Sequence, residues 1–167
     1  MELNIYILCT ALIVSVQEVD AKSNDASKTD EDFQSIKFKD CGAKNIEAVI
    51  IPDCKPSASV CHMRKGHNYK LQVIFTTTKK HTELSAEAEG KVMVFGSERK
   101  APLPLPKPNA CNNSGLKCPL KKGKQYTYET HIPIPQHLPS VEVTVAWKLV
   151  DAKKNEAFCF EAKYKIV

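Results

Sequence analysis

The sequence predicts an all-β fold: an immunoglobulin-like, two-sheet antiparallel β-sandwich of about seven strands. Apolar and polar residues alternate with a period of two, turn residues recur at short intervals, and no run reaches helical length with clear caps. The alternation is clearest in Asn68–Thr78, where Tyr69, Leu71, Val73 and Phe75 interleave with Lys70, Gln72, Ile74 and Thr76. It returns in Val141–Val150, where Val141, Val143, Val145 and Trp147 interleave with Glu142, Thr144, Ala146 and Lys148. β-Branched and aromatic side chains at alternate positions fit a pleated sheet with one buried face.

Weaker strand patterns run over Phe33–Asp40, Ile46–Ile51, Lys91–Phe95, Gln125–Pro133 and Phe158–Val167. Turn chemistry separates them at Pro52-Asp53, Pro56-Ser57, Gly66-His67, Ser114-Gly115, Lys122-Gly123 and Pro139-Ser140. Thr82–Gly90 stays open between helix and strand: its residues favour helix, but it is short and Gly90 ends it. Ala101–Asn109 reads APLPLPKPN. Alternate prolines lack the N–H of a central strand, so an extended polyproline segment is expected at an edge or between the sheets.

A chain of 167 residues fits one domain. Ile5–Val16 is the apolar heart of the one long hydrophobic run. It is too short to span a bilayer and suits the core of a signal peptide, with Val19-Asp20-Ala21 as the cleavage site. Glu2 stands where a basic residue ordinarily precedes the run, and an uncleaved anchor is the competing reading. Residues 1–21 are therefore expected to be a signal peptide and 22–167 the mature domain. Cleavage after Ala21 removes Glu2, Glu18 and Asp20 and no base, leaving 24 Lys+Arg against 16 acids, a charge of +8. The lysines lie in scattered pairs rather than one stripe, which points away from nucleic acid. Solvated surface, or docking on an anionic membrane, fits better.

Of seven cysteines, Cys9 leaves with the signal peptide. The remaining six, in an oxidising compartment, imply three disulfides. Six cysteines allow fifteen pairings. The short, turn-rich intervals favour closing Cys54 with Cys61 and Cys111 with Cys118, with Cys41 and Cys159 at the two ends of the domain. Neither close pair has the spacing of a zinc knuckle. Catalysis finds little support: no HExxH or GxSxG motif occurs, no spare thiol remains, and no metal site or cofactor is indicated. His62, His67, His81, His131 and His137 are each expected at the surface. Asn112-Asn113-Ser114 is a glycosylation sequon inside the Cys111–Cys118 interval, so Asn112 is expected to carry a glycan.

The residues also resemble a known family, the ML (lipid-recognition) domain, and within it the Niemann-Pick type C2 proteins, closest in texture to arthropod members. The matching residues span nearly all of the mature chain: Phe38-Lys39-Asp40-Cys41-Gly42, then Cys54 and Cys61 with Lys65-Gly66, then Ala101 to Pro106. Cys111, Gly115, Cys118-Pro119-Leu120, Gly123, Tyr126-Thr127-Tyr128, Pro139-Ser140, Trp147-Lys148-Leu149 and Phe158-Cys159 follow in order. The resemblance implies a sandwich whose sheets splay apart around a hydrophobic cavity. It implies the pairs Cys41–Cys159, Cys54–Cys61 and Cys111–Cys118, and a soluble carrier enclosing one lipid.

The family pattern and the strand alternation together place Tyr69, Leu71, Val73 and Phe75 on one cavity wall. Val143, Val145, Trp147 and Phe160 stand on the other, with Val94 and Leu103 among the lining and Leu105, Ile134 and Leu138 at the mouth. A closed core built from the same strands is the bland alternative. Sterol-binding members carry aromatic rings at the positions matching Leu105 and Leu138. Leucines there suit a flexible acyl chain better than a rigid sterol. The expected function is a secreted carrier of a long-chain fatty acid, a semiochemical-like lipid or a sterol, acting as a monomer. Transient contact with an anionic membrane or a receptor accompanies it. Sterol transfer in the lysosome lumen and innate-immune recognition of microbial lipid are the alternatives.

Overall fold

The computed structural model describes residues 35–167. The expected signal peptide and the start of the expected Phe33–Asp40 strand lie outside them. The described residues form nine strands and no helix: β1 (Lys39–Asp40), β2 (Ile46–Ile50), β3 (Cys61–Met63), β4 (Asn68–Thr76), β5 (Ser85–Val94), β6 (Ser97–Leu103), β7 (Gln125–Pro133), β8 (Glu142–Val150) and β9 (Glu156–Ile166). They make two sheets. The larger runs β1-β9-β8-β5-β6, with β3 beside β9, and the smaller runs β2-β4-β7. All pairings are antiparallel except β3 with β9, which is parallel.

Nine strands replace the expected seven, and the differences have physical reasons. The ambiguous Thr82–Gly90 and the expected strand Lys91–Phe95 join into β5, because Ser85–Lys91 pair with β8 in continuous register. The proline-alternating segment begins as a strand, since Ala101, Pro102 and Leu103 end β6. β6 is the outer edge of its sheet, so the N–H missing from Pro102 leaves no neighbouring strand unpaired. β3 is three residues long, too short for any alternation to register.

The three disulfides are Cys41–Cys159, Cys54–Cys61 and Cys111–Cys118. The first ties β9 to the segment just after β1. The other two each close a short loop.

Directly opposed residues share a face, so the registers fix what points between the sheets. On the larger sheet Leu149, Trp147, Val145 and Val143 oppose Phe158, Phe160, Ala162 and Tyr164, and Ala86, Ala88 and Gly90 lie beside them on β5. On the smaller sheet Phe75, Val73, Leu71 and Tyr69 oppose Tyr126, Tyr128, Thr130 and Ile132. One end of the interlayer space is filled with rings. Phe75 and Phe158 lie 4.9 Å apart edge-on, Tyr128 and Phe158 lie 5.8 Å apart, and Phe158 and Phe160 lie 6.2 Å apart. Aromatic side chains bury the most area per residue and close that end. Toward the other end the inward positions of the larger sheet become Ala88, Gly90, Val143 and Val145, too small to span the gap.

Candidate functional site

The gap is a cavity of about 720 Å³. Buried Met63, Ala88, Trp147, Tyr164 and Ile166 form its depths, and Val92, Val141, Val143 and Val145 continue its walls. Gly90 keeps one wall open: a Cβ there would stand 3.3 Å from Leu103 Cδ2 and 3.4 Å from Val143 Cγ2. The smaller sheet contributes only the end of β7, Ile132 and Pro133, before the β7–β8 loop takes over with Ile134, Pro135, His137, Leu138 and Pro139. That loop and the segment Leu103-Pro104-Leu105-Pro106 frame the mouth. Prolines on both sides fix φ along these segments, and the Leu138 amide donates to the Pro135 carbonyl at 3.3 Å to close a turn in the β7–β8 loop.

Seven of the residues expected in the lining are there: Leu103, Leu105, Ile134, Leu138, Val143, Val145 and Trp147. Six expected residues stand elsewhere. Leu71, Val73 and Phe75 are wholly buried in the filled core. Their strand, β4, is the centre of its sheet, with β2 and β7 on either side. Tyr69 is drawn aside because its hydroxyl accepts a hydrogen bond from the Arg64 amide at 2.7 Å. Phe160 packs edge-on against Phe38, with centroids 6.2 Å apart. Val94 sits at the exposed end of β5, beyond the cavity.

The cavity also holds residues that the sequence reading missed. Tyr164 and Ile166 lie two and three steps of strand alternation beyond Phe160, so the period-two pattern of β9 already marked them. Burial, with no hydrogen bond to offset it, pushes the Tyr164 hydroxyl well above the usual tyrosine range. Ala88, Gly90 and Arg99 carried no such signal, because they reach the cavity through the pairing of β5 with β6.

Apart from Lys100 and His137, which also line the cavity, the polar pairs lie away from it. Lys91 and Glu161 pair on the outer face of the larger sheet, and this bond holds the Glu161 carboxyl below its ordinary value. Lys70 and Glu129 pair at 3.1 Å on the smaller sheet. The sequence places all five histidines at the surface. Four are exposed, but His81 is 1% exposed. Reciprocal backbone hydrogen bonds with Leu120 draw it inward, and its Nδ1 lies 3.5 Å from Asp151 Oδ2. Asn112 is exposed in its disulfide loop, and the hydroxyl of Ser114 is bound to the Ala110 carbonyl.

A family model described as the ML domain matches residues 35–166, which is the whole sandwich. The chain belongs to the ML domain family, among the Niemann-Pick type C2 proteins. The mouse (Mus musculus) NPC intracellular cholesterol transporter 2 is 33% identical over 135 residues, covering 80% of this chain and 86% of the mouse protein. The Drosophila melanogaster NPC intracellular cholesterol transporter 2 homolog a is 33% identical over 134 residues, covering 79% and 88%. Among solved structures, the Niemann-Pick type C2 protein from Japanese carpenter ant superposes with a TM-score of 0.70 at 27% identity. It covers 78% of this chain and 99% of the ant protein. The ML domain resemblance read from the cysteines and their flanks is the family that matches.

Proposed function

We propose that this protein is a secreted, monomeric carrier that encloses one hydrophobic ligand between its sheets and transports it. The cavity carries the reading: about 720 Å³ walled mostly by aliphatic side chains and prolines, with the rings of Trp147 and Tyr164 in its depths. Ligand pockets span roughly 300–1,000 Å³ and are lined in this manner. Burying an acyl chain of about sixteen carbons gains roughly 13 kcal/mol gross at about 0.8 kcal/mol per methylene. Association costs about 4–15 kcal/mol, so micromolar or tighter binding needs few polar contacts. Leu105 and Leu138 at the mouth, compliant rather than flat, favour an acyl or hydrocarbon chain. Sterol transfer, in extracellular fluid or in the lysosome lumen, is the second reading. It is supported by relatives named as cholesterol transporters.

Delivery calls for contact with a membrane, and the β5–β6 hairpin is suited to it. Its two-residue turn, Phe95-Gly96, has φ of 48° and 77°. Both values lie in the left-handed region that the favoured hairpin turn demands and that Asn-Gly ordinarily fills. A phenylalanine at such a position is unfavourable for the backbone, yet Phe95 is fully exposed and Met93 is 68% exposed beside it. The basic mature chain would bring this apolar tip to anionic lipid. A glycan on Asn112, in its exposed loop, completes the proposed secreted form.

The test is competition on the secreted protein. A fluorescent hydrophobic probe is loaded, then displaced with fatty acids, long-chain alcohols and sterols. Displacement at one-to-one stoichiometry by any of these supports enclosure. A sandwich with a filled core displaces nothing.

A further inference from the structure

We infer that the ligand ends in an anion, a long-chain carboxylate, whose head is held at the hairpin edge of the cavity by Arg99; this rests on the carrier reading above. Arg99 opposes Val92 across the β5–β6 ladder, as Ala101 opposes Gly90 and Leu103 opposes Ala88. Directly opposed residues share a face, and Ala88, Gly90 and Val92 all line the cavity. Leu103, Ala101 and Arg99 therefore run in a line along β6 on the cavity side, from the apolar frame of the mouth to an exposed guanidinium near the hairpin. An extended chain lying along that line ends at a positive charge.

The charges around the opening are one-sided. Arg99 and Lys100 are in the lining, and no carboxylate is. Lys100 alternates to the other face of the sheet and is engaged by Glu98 at 3.3 Å. Arg99 makes no ion pair among the described residues. Its planar fork matches a carboxylate in two parallel hydrogen bonds, which neither an alcohol nor a sterol hydroxyl can return. Arg99 is thus a specificity-determining residue: the cavity takes the chain, and Arg99 chooses the head.

The experiment titrates palmitate, hexadecanol and cholesterol into the mature protein by probe displacement at low and moderate salt. It is repeated with Arg99→Gln and, as a charge control remote from the cavity, Lys122→Gln. The wild type should prefer palmitate to hexadecanol by about fivefold, the range of a part-exposed ion pair, and added salt should shrink the preference. Arg99→Gln should abolish the preference while leaving hexadecanol affinity unchanged, and Lys122→Gln should keep it. Thermal unfolding of Arg99→Gln should match wild type, since the side chain is exposed on an edge strand. Equal affinity for acid and alcohol in the wild type overturns the inference and leaves the carrier reading standing. So does an equal loss for both ligands in Arg99→Gln, or a clear preference for cholesterol. No displacement by any of the three removes the carrier reading and the inference together.

Discussion

Val145→Phe separates a cavity that holds ligand from one that is only space. Val145 faces the cavity, with Gly90 opposite on β5 and Ala162 opposite on β9. Small neighbours on both sides give a ring room to enter, and the added side chain lies over apolar walls. The substitution should therefore leave the melting temperature unchanged or slightly raised. Phenylalanine carries four more side-chain carbons than valine, and these occupy volume otherwise open to about four methylenes of ligand. At about 0.8 kcal/mol per methylene that loses roughly 3 kcal/mol, or about 200-fold in Kd. The assay is probe displacement by a long-chain ligand, with circular dichroism and thermal melting to verify the fold. Leu71→Ala provides the contrast. Leu71 is wholly buried and away from the cavity, so its truncation should cost about 2–5 kcal/mol of stability with ligand affinity in the folded protein nearly unchanged. A folded Val145→Phe protein that binds as tightly as wild type would refute the placement of the ligand between the sheets.

Three further outcomes follow from named contacts. Phe95→Asn gives the hairpin turn the residue its backbone prefers, so thermal stability should hold or rise. Sedimentation with phosphatidylserine vesicles should weaken by about tenfold, the loss of one partly inserted ring; unchanged vesicle binding removes the hairpin from membrane docking. Glu161 is held below its ordinary 4.5 chiefly by its bond from Lys91. Its contribution to stability is therefore full above about pH 4.5 and is lost as pH falls through the lower folded value. Denaturant unfolding should show a larger drop between pH 5 and 3 in wild type than in Glu161→Gln. Replacing Cys41 and Cys159 with alanine opens a link between residues 118 apart. On the chain-entropy model this costs about 5 kcal/mol, which urea unfolding of the double variant should register.

The strands legible in the sequence are those with large apolar residues on one face. β4 and β8 each alternate clearly because one side meets a core and the other meets water. β5 was obscured for a reason that belongs to the site. Its inward positions are Ala86, Ala88 and Gly90, so no large apolar side chain marks the buried face. Those same small residues leave room for the cavity. β6 was obscured because an edge strand tolerates Pro102 and because its cavity face carries Arg99, Ala101 and Leu103 instead of a uniform apolar row. Alternation also treats every inward position of β4, β8 and β9 alike. Which of them face a cavity depends on register, which groups Phe75, Tyr128, Phe158 and Phe160 at the closed end and leaves Val143 and Val145 at the open one. The mouth was the most readable part. Leu103, Leu105 and Ile134 are set between prolines and Leu138 precedes Pro139, and these prolines stand in the sequence itself.

Native mass spectrometry of the secreted protein, with extraction and identification of whatever lipid comes with it, tests enclosure most directly. The expected result is one ligand mass per chain, retained through gentle desalting and replaced one-for-one when another long-chain lipid is supplied. A bare protein mass that stays bare after incubation with fatty acids, long-chain alcohols and sterols would contradict it, and the space between the sheets would be a cavity without cargo.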